Sequence, residues 1–185
     1  MNLSFCPDIY KIRKEHRFKL EDIEEVVMGT AKRMIREVGA IREPKDMTGF
    51  QFSANYTLAM ALVKGSNQPK DVTEDNLKDP QIRLLAAKVR VELDEDLDAV
   101  YPKKIGGTVT IRLKDGTLYK ETVMDCRGTP ENPMSKEEIK DKFRGLVGTL
   151  LQERRVEQII DVVDKLEKLD DISEINSLLV KEERR

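Results

Sequence analysis

The sequence has no tryptophan, one histidine and two cysteines in 185 residues. Cys6 and Cys126 stand far apart and form no Cys-x-x-Cys motif, which leaves no basis for a disulfide framework or a structural zinc site. Each reads as a small buried hydrophobe rather than a nucleophile. No apolar run approaches the roughly 18 residues that a membrane-spanning helix requires. The N-terminal stretch MNLSFCPDIYKIRKEHR also lacks the apolar segment of a secretory signal, so a cytoplasmic protein with no membrane partner is expected. An excess of one charge is missing too. The 33 basic and 35 acidic residues leave a net charge of −2, which gives nucleic acid no electrostatic claim as a partner.

What is present is a pattern of short amphipathic elements. Pro7 to Arg17 places Ile9 and Ile12 at helical spacing among charges. Glu21 to Gly29 suits a strand, and the residues from Ala31 favour a helix, with Gly29-Thr30 dividing them. Arg42 to Gly49 reads as a loop around Pro44. Phe50 to Val63 reads as one closely packed helix, carrying Phe52, Tyr56, Ala59, Met60 and Val63 and ended by Gly65. A polar loop follows. Asp79-Pro80 then starts a helix, with Asp at the N-cap, Pro in the first turn, and Ile82, Leu85 and Ala86 as its buried stripe.

Val89, Val91 and Leu93 alternate with charged residues, as on a half-buried strand. Val109, Ile111 and Leu113 alternate likewise, and Lys114-Asp-Gly-Thr117 turns the chain into a return strand over Leu118 to Val123. Beyond Gly128-Thr-Pro-Glu-Asn-Pro133 the pattern is helical throughout. Ser135 and Glu138 make a capping box, flanked by Met134 and Ile139 as a hydrophobic staple. Apolar stripes follow: Ile139, Phe143, Leu146 and Leu150; then Val156, Ile159, Ile160, Val163 and Leu166; then Ile172, Ile175, Leu178 and Leu179. The fold class is α+β. A small mixed domain with a hairpin-containing sheet (1–130) precedes a helical segment (131–185).

The residues alone name no reaction. His16 reads as a surface residue at a helix C-terminus, because a general base would need an orienting partner and a cleft. Gly106-Gly107 precedes a strand instead of opening a helix, so it lacks the setting of a phosphate-binding loop. Lys103-Lys104 could hold an anion, although such a pair more often marks a solvated strand entrance. Carboxylate pairs such as Glu24-Glu25 are too common in this chain to signal acid–base work.

Four ordered segments nevertheless carry a resemblance. They are Phe50-Gln-Phe-Ser-Ala-Asn-Tyr-Thr-Leu-Ala to Gly65; Asp79-Pro-Gln-Ile-Arg-Leu-Leu-Ala-Ala-Lys-Val89; Val109-Thr-Ile-Arg-Leu-Lys-Asp-Gly-Thr117; and Gly128-Thr-Pro-Glu-Asn-Pro-Met-Ser135 followed by Glu138 and Lys142-Phe143. Together, from about residue 7 to the end, they resemble the second half of the MmgE/PrpD family. That family includes 2-methylcitrate dehydratases, cis-aconitate decarboxylases and iminodisuccinate epimerases.

The resemblance implies an α+β lid over residues 1–130, with residues 131–185 as helices that return to pack on a helical domain. No helical domain precedes the lid here, so the expectation is a lid portion or subunit that is inactive alone. It also implies a small di- or tricarboxylate ligand and no metal or organic cofactor. Decarboxylase-like members carry a Lys and a His before the first lid helix. Leu3-Ser-Phe-Cys-Pro-Asp8 has neither, so no catalytic residue is carried over. Gln51, Ser53 and Tyr56 are the expected substrate-binding residues, with capping or packing as the alternative for Ser53 and Tyr56. The expected partner is the missing helical domain or subunit, or a second copy meeting the C-terminal helices. A non-catalytic protein- or anion-binding module is the alternative function.

Overall fold

The structure, a computed structural model, describes residues 9–66, 68–148 and 150–179. The expected segment Leu3–Asp8, with Cys6, lies outside the described residues. The chain divides into two compact units, residues 1–134 and 135–185.

The first unit is built on a four-stranded sheet, β1 (Ile23–Thr30), β2 (Val89–Leu93), β3 (Gly107–Leu113) and β4 (Leu118–Val123), in the order β2-β1-β3-β4. β1 runs parallel to β2 and antiparallel to β3. A parallel pair needs a long crossover, which is supplied by α2 (Lys32–Val38), α3 (Met47–Gln51), α4 (Ala54–Lys64), α5 (Glu74–Lys78) and α6 (Pro80–Ala86). Strand periodicity then sorts the faces. Val26 and Met28 of β1 stand beside Val89 and Val91 of β2 and beside Ile111 and Val109 of β3. Most of these side chains are buried in the core, which also takes Ile9 and Ile12 of α1 (Ile9–Glu15). On the opposite face Glu25 bridges Arg90 and Arg112, the latter at 2.8 Å.

At the centre lies α4, packed against α1, α3, α6 and β2. Its residues from Ala54 to Leu62 are all buried. A helix buried on every side lies in the interior, and its polar side chains Asn55 and Thr57 donate to backbone carbonyls of Ala86, Val89 and Ser53. Gly65 ends it in the left-handed conformation (φ 67°), as the sequence requires. Asp79 caps α6 by accepting from the N–H groups of Gln81 and Ile82, and Ile82, Leu85 and Ala86 are buried as expected.

The crossover departs from the expectation in two places. Phe50 to Val63 is not one helix: α3 ends at Gln51, and Ser53 restarts the chain as the N-cap of α4. Correspondingly, the stretch read as a loop to Gly49 already turns helical at Met47, because the Asp46 carboxylate caps Gly49 N–H at 2.6 Å. The polar loop before Asp79 contains α5, capped by Thr73. After β2, Asp94 caps another short helix, α7 (Glu95–Val100), where the sequence had suggested none.

The β3–β4 hairpin forms where the alternation placed it, with Ile111 beside Tyr119. Its turn is not the two-residue type that Asp-Gly suggests. That type needs positive φ at both central residues, and the positive φ values of the described residues belong to glycines alone. Gly116 N–H instead donates to Leu113 C=O at 2.9 Å, with Gly116 following at φ +87°. The Asp115 carboxylate accepts from Thr117 N–H at 2.9 Å, which holds its pKa below the usual carboxylate value. A Cβ at Gly116 would meet nothing within 4 Å. Gly116→Val therefore costs only backbone strain, about 1–2 kcal/mol. A lowered denaturant midpoint with an unchanged slope checks this; an unchanged midpoint would contradict it.

The second unit holds α8 (Lys136–Val147), α9 (Glu153–Asp164) and α10 (Ser173–Leu179). The capping box is present: Ser135 accepts from Glu138 N–H, and the Glu138 side chain accepts from Ser135 N–H. Ile139, however, is 54% exposed, so the expected staple covers little of it. The Arg144 guanidinium grips both oxygens of Glu157, at 2.6 and 2.8 Å, and Lys140 reaches Asp164 at 2.5 Å, tying α8 to α9. Arg155 donates to the carbonyls of Leu178 and Ser177, which holds the end of α10. Val156, Ile159 and Ile160 are buried, whereas α8 buries no side chain.

Candidate functional site

The N-terminus of α4 positions the residues that the sequence singled out. Ser53 has 0% exposure, and its hydroxyl accepts from Tyr56 N–H at 3.2 Å. Its carbonyl accepts from the Thr57 hydroxyl at 2.7 Å. Ser53 thus serves as the cap that was its alternative reading. Gln51 is exposed at the C-terminal end of α3. Tyr56 is 6% exposed, with its ring edge-on to Phe50 at a centroid separation of 5.7 Å.

Tyr56 also lines a cleft of about 700 Å³ on the first unit, and neither Gln51 nor Ser53 does so. The neighbouring residue Asn55 shares that wall. Arg42 and Glu43 enter from the segment between α2 and α3, Arg83 and Leu84 from α6, and Val89 and Arg90 from β2. The Asn55 amide is fixed in orientation. Its Nδ2 donates to Ala86 C=O at 3.3 Å and to Val89 C=O at 2.6 Å, so turning the amide over would set oxygen against two carbonyls. Its Oδ1 is buried and has no hydrogen-bond partner. Of the three arginines, Arg90 pairs with Glu25 and Glu92. The side chains of Arg42 and Arg83 make no ion pair or hydrogen bond with any described residue.

The other candidates are held in structural roles. The His16 ring stacks on Tyr119 at 4.1 Å, and Phe18 stacks on the same ring at 5.5 Å. Lys104 is paired with Asp125 at 2.9 Å. Cys126 is buried, and desolvation raises its thiol pKa. A thiolate is the reacting form. In a Cys6→Ser variant, Cys126 is therefore expected to resist an aromatic disulfide reagent at neutral pH and to react fully in denaturant. Rapid reaction of the folded chain would contradict its burial. Among the described residues no group of three or more His, Cys, Asp or Glu could hold a metal ion, and no helix is long and apolar enough to cross a membrane.

The sequence profile of the MmgE/PrpD C-terminal domain matches residues 8–168. The chain is 33% identical over 151 residues to a cis-aconitate decarboxylase of Aspergillus terreus, covering 80% of this chain and 31% of that protein. A cis-aconitate decarboxylase of Mus musculus is 33% identical over 131 residues, 69% of this chain and 26% of its own length. The alkylcitrate dehydratase phiI of a fungal species is 28% identical over 141 residues, 70% of this chain and 27% of that protein. The chain thus matches about a third or less of these relatives.

Proposed function

Because the chain belongs to the MmgE/PrpD family, through its C-terminal domain, we propose that it supplies the lid-like part of a cytoplasmic lyase or isomerase acting on a small di- or tricarboxylate, in the manner of a 2-methylcitrate dehydratase. The observation that carries this reading is the match over residues 8–168, joined to relatives named as a decarboxylase and a dehydratase.

The chemistry is removal of a proton beside a carboxylate, with loss of water or carbon dioxide or inversion at that centre. It needs a base and cationic donors for the charge that develops, and no cofactor enters the proposal. On this chain the substrate-facing segment is Gln51, Ser53 and Tyr56, with Ser53 holding the α4 terminus and Tyr56 standing in the cleft wall. The base and most of the acid–base groups come from a helical portion of the kind that completes the relatives.

The second unit is the surface proposed to meet that portion. Leu150 is 72% exposed, and Leu146, Val163 and Leu166 are exposed with it. Each large apolar side chain forgoes roughly 1.5–3 kcal/mol by staying in water. Without the helical portion, the chain is expected to self-associate through this stripe. Light scattering should then show a dimer that Leu150→Glu dissociates; a strict monomer at high micromolar concentration would oppose this.

The functional test is to assay the chain alone, and with a separately expressed helical portion from a family member, on 2-methylcitrate and cis-aconitate. Turnover only in the mixture is the expected result. The alternative, a non-catalytic protein- or anion-binding module, would show no turnover in either case.

A further inference from the structure

The sheet of the first unit ends in two unlike edges. At one, α1 packs on β4 and Lys11 pairs with Glu121. At the other, β2 runs as Val89-Arg-Val-Glu-Leu93, with no proline, lysine or bulge to interrupt it. Its ladder to β1 uses alternate residues. Val26 N–H donates to Lys88 C=O and Asp94 N–H to Thr30 C=O, both at 3.0 Å, so Arg90 and Glu92 carry the bonds between them. Val89, Val91 and Leu93 therefore turn their N–H and C=O groups away from β1. Asn55 takes one of these groups, the Val89 carbonyl, through its Nδ2 at 2.6 Å. The others, centred on Val91, have no partner among the described residues. Natural sheets cover or blunt such an edge, because an open one pairs with another chain.

We propose that this edge pairs with the same edge of a second copy of the chain, antiparallel about a two-fold axis at Val91. The pattern of β2 is complementary to itself in that register. Val91 meets Val91 and exchanges two hydrogen bonds with it, which satisfies the central outward groups of both copies. Val89 N–H then donates to Leu93 C=O of the second copy, and the reverse, without disturbing Asn55. Arg90 falls opposite Glu92 and Glu92 opposite Arg90, as the non-hydrogen-bonded pairs whose side chains stand closest. Both side chains are exposed in the single chain and free to meet. A slip of two residues would set Arg90 against Arg90 or Glu92 against Glu92, so charge selects the register. On the core side Leu93, 47% exposed as it stands, gains Val89 of the copy beside it. Val89 and Arg90 also border the cleft beside α4, so that end of the strand opens on solvent. Beyond Leu93 the second copy enters the acidic first turn of α7, Glu95 and Asp96, at the end where Arg42 and Arg83 line the cleft. The two-fold axis makes each of these contacts twice. Five residues a side is a small contact, so pairing sets in at about 1 mM rather than in the micromolar range. The edge belongs to the first unit alone and owes nothing to the exposed stripe of the second.

The test uses the full Leu150→Glu chain, in which the stripe of the second unit is disabled. Raising its concentration from about 0.05 to about 2 mM should shift the backbone amide resonances of Val89, Val91 and Leu93 and slow translational diffusion in step. Glu92→Arg sets like charges opposite each other at both ends and should weaken association about fivefold or more, as should Arg90→Glu. An equimolar mixture of these two variants restores both attractive pairs, and its association should return to within about twofold of the parent. A reversal that only loosened the fold could not be rescued by mixing. Val91→Pro deletes an N–H that the β1 ladder does not use, and should abolish the pairing in a chain that still folds. Resonances of β2 that stay still up to about 2 mM would overturn the proposal. So would a mixture no tighter than its separate components, or concentration-dependent shifts that fall on β4 or the second unit instead. Should Arg90→Glu lose its fold along with the Glu25 pair, Glu92→Arg associating as tightly as the parent would still overturn it.

Discussion

Gly106→Ala is expected to lower the stability of the first unit by about 3 kcal/mol or more, the upper end of what overpacking costs. A Cβ at this position would lie 2.4 Å from Val123 O and 2.9 Å from Met124 O, with Leu97 Cδ2 at 3.0 Å. The two oxygens belong to the backbone, so no rotamer change can relieve the overlap. The segment entering β3 would have to withdraw from the end of β4. That withdrawal would also pull the Gly106 carbonyl from the buried Thr30 hydroxyl, which donates to it at 3.1 Å. Gly116→Ala is the control, since that glycine has open space around its missing Cβ and a positive φ as its only demand. Denaturant titration should show a loss several times larger at Gly106. Equal losses would mean that the strand entrance yields easily.

Phe50→Ala carries the second large effect, about 3–5 kcal/mol. Phe50 heads the fully buried side chains by size, and it sits at the break between α3 and α4. Its removal empties space on which the Tyr56 ring rests edge-on. Phe50→Leu should recover much of the loss, because it refills most of the emptied volume. A loss in Phe50→Ala below about 1 kcal/mol would show that the break between α3 and α4 collapses to fill the space.

The elements that could be read from the sequence are those whose apolar residues recur often enough to set a period. β3 alternates Val109, Ile111 and Leu113 with polar neighbours, β1 shows its Glu-Glu-Val-Val-Met run, β4 follows from the Asp-Gly turn before it, and α6 announces itself through Asp79-Pro80. α5 and α7 were hidden because each buries one side chain, Leu77 and Leu97, and one residue has no period. Their caps, Thr73 and Asp94, were the remaining signal. The break at Phe52-Ser53 was hidden for the opposite reason: apolar residues continue across it, and only the capping hydroxyl divides the helices. At the site, Tyr56 came from the resemblance. Asn55, Arg42 and Arg83 could not be read, because a loop, two helices and a strand meet there only once the crossover has folded onto the sheet. An amide oxygen left without a donor leaves no mark on a sequence.

The position of β1 in the sheet bears on the order in which the chain can fold. β1 is the strand made first, and both its partners are distant in sequence: Val26 pairs with Val89 on one side and with Ile111 on the other. The β3–β4 hairpin is local and can close on the microsecond scale. β1 must instead wait, as an eight-residue strand with both edges open, until the entire crossover and then β3 have left the ribosome. Topology of this kind slows folding, because loop closure precedes the contacts that reward it. During that interval α1 and α4, which pack on each other in the finished unit, are the helices already available to shelter the apolar face of β1.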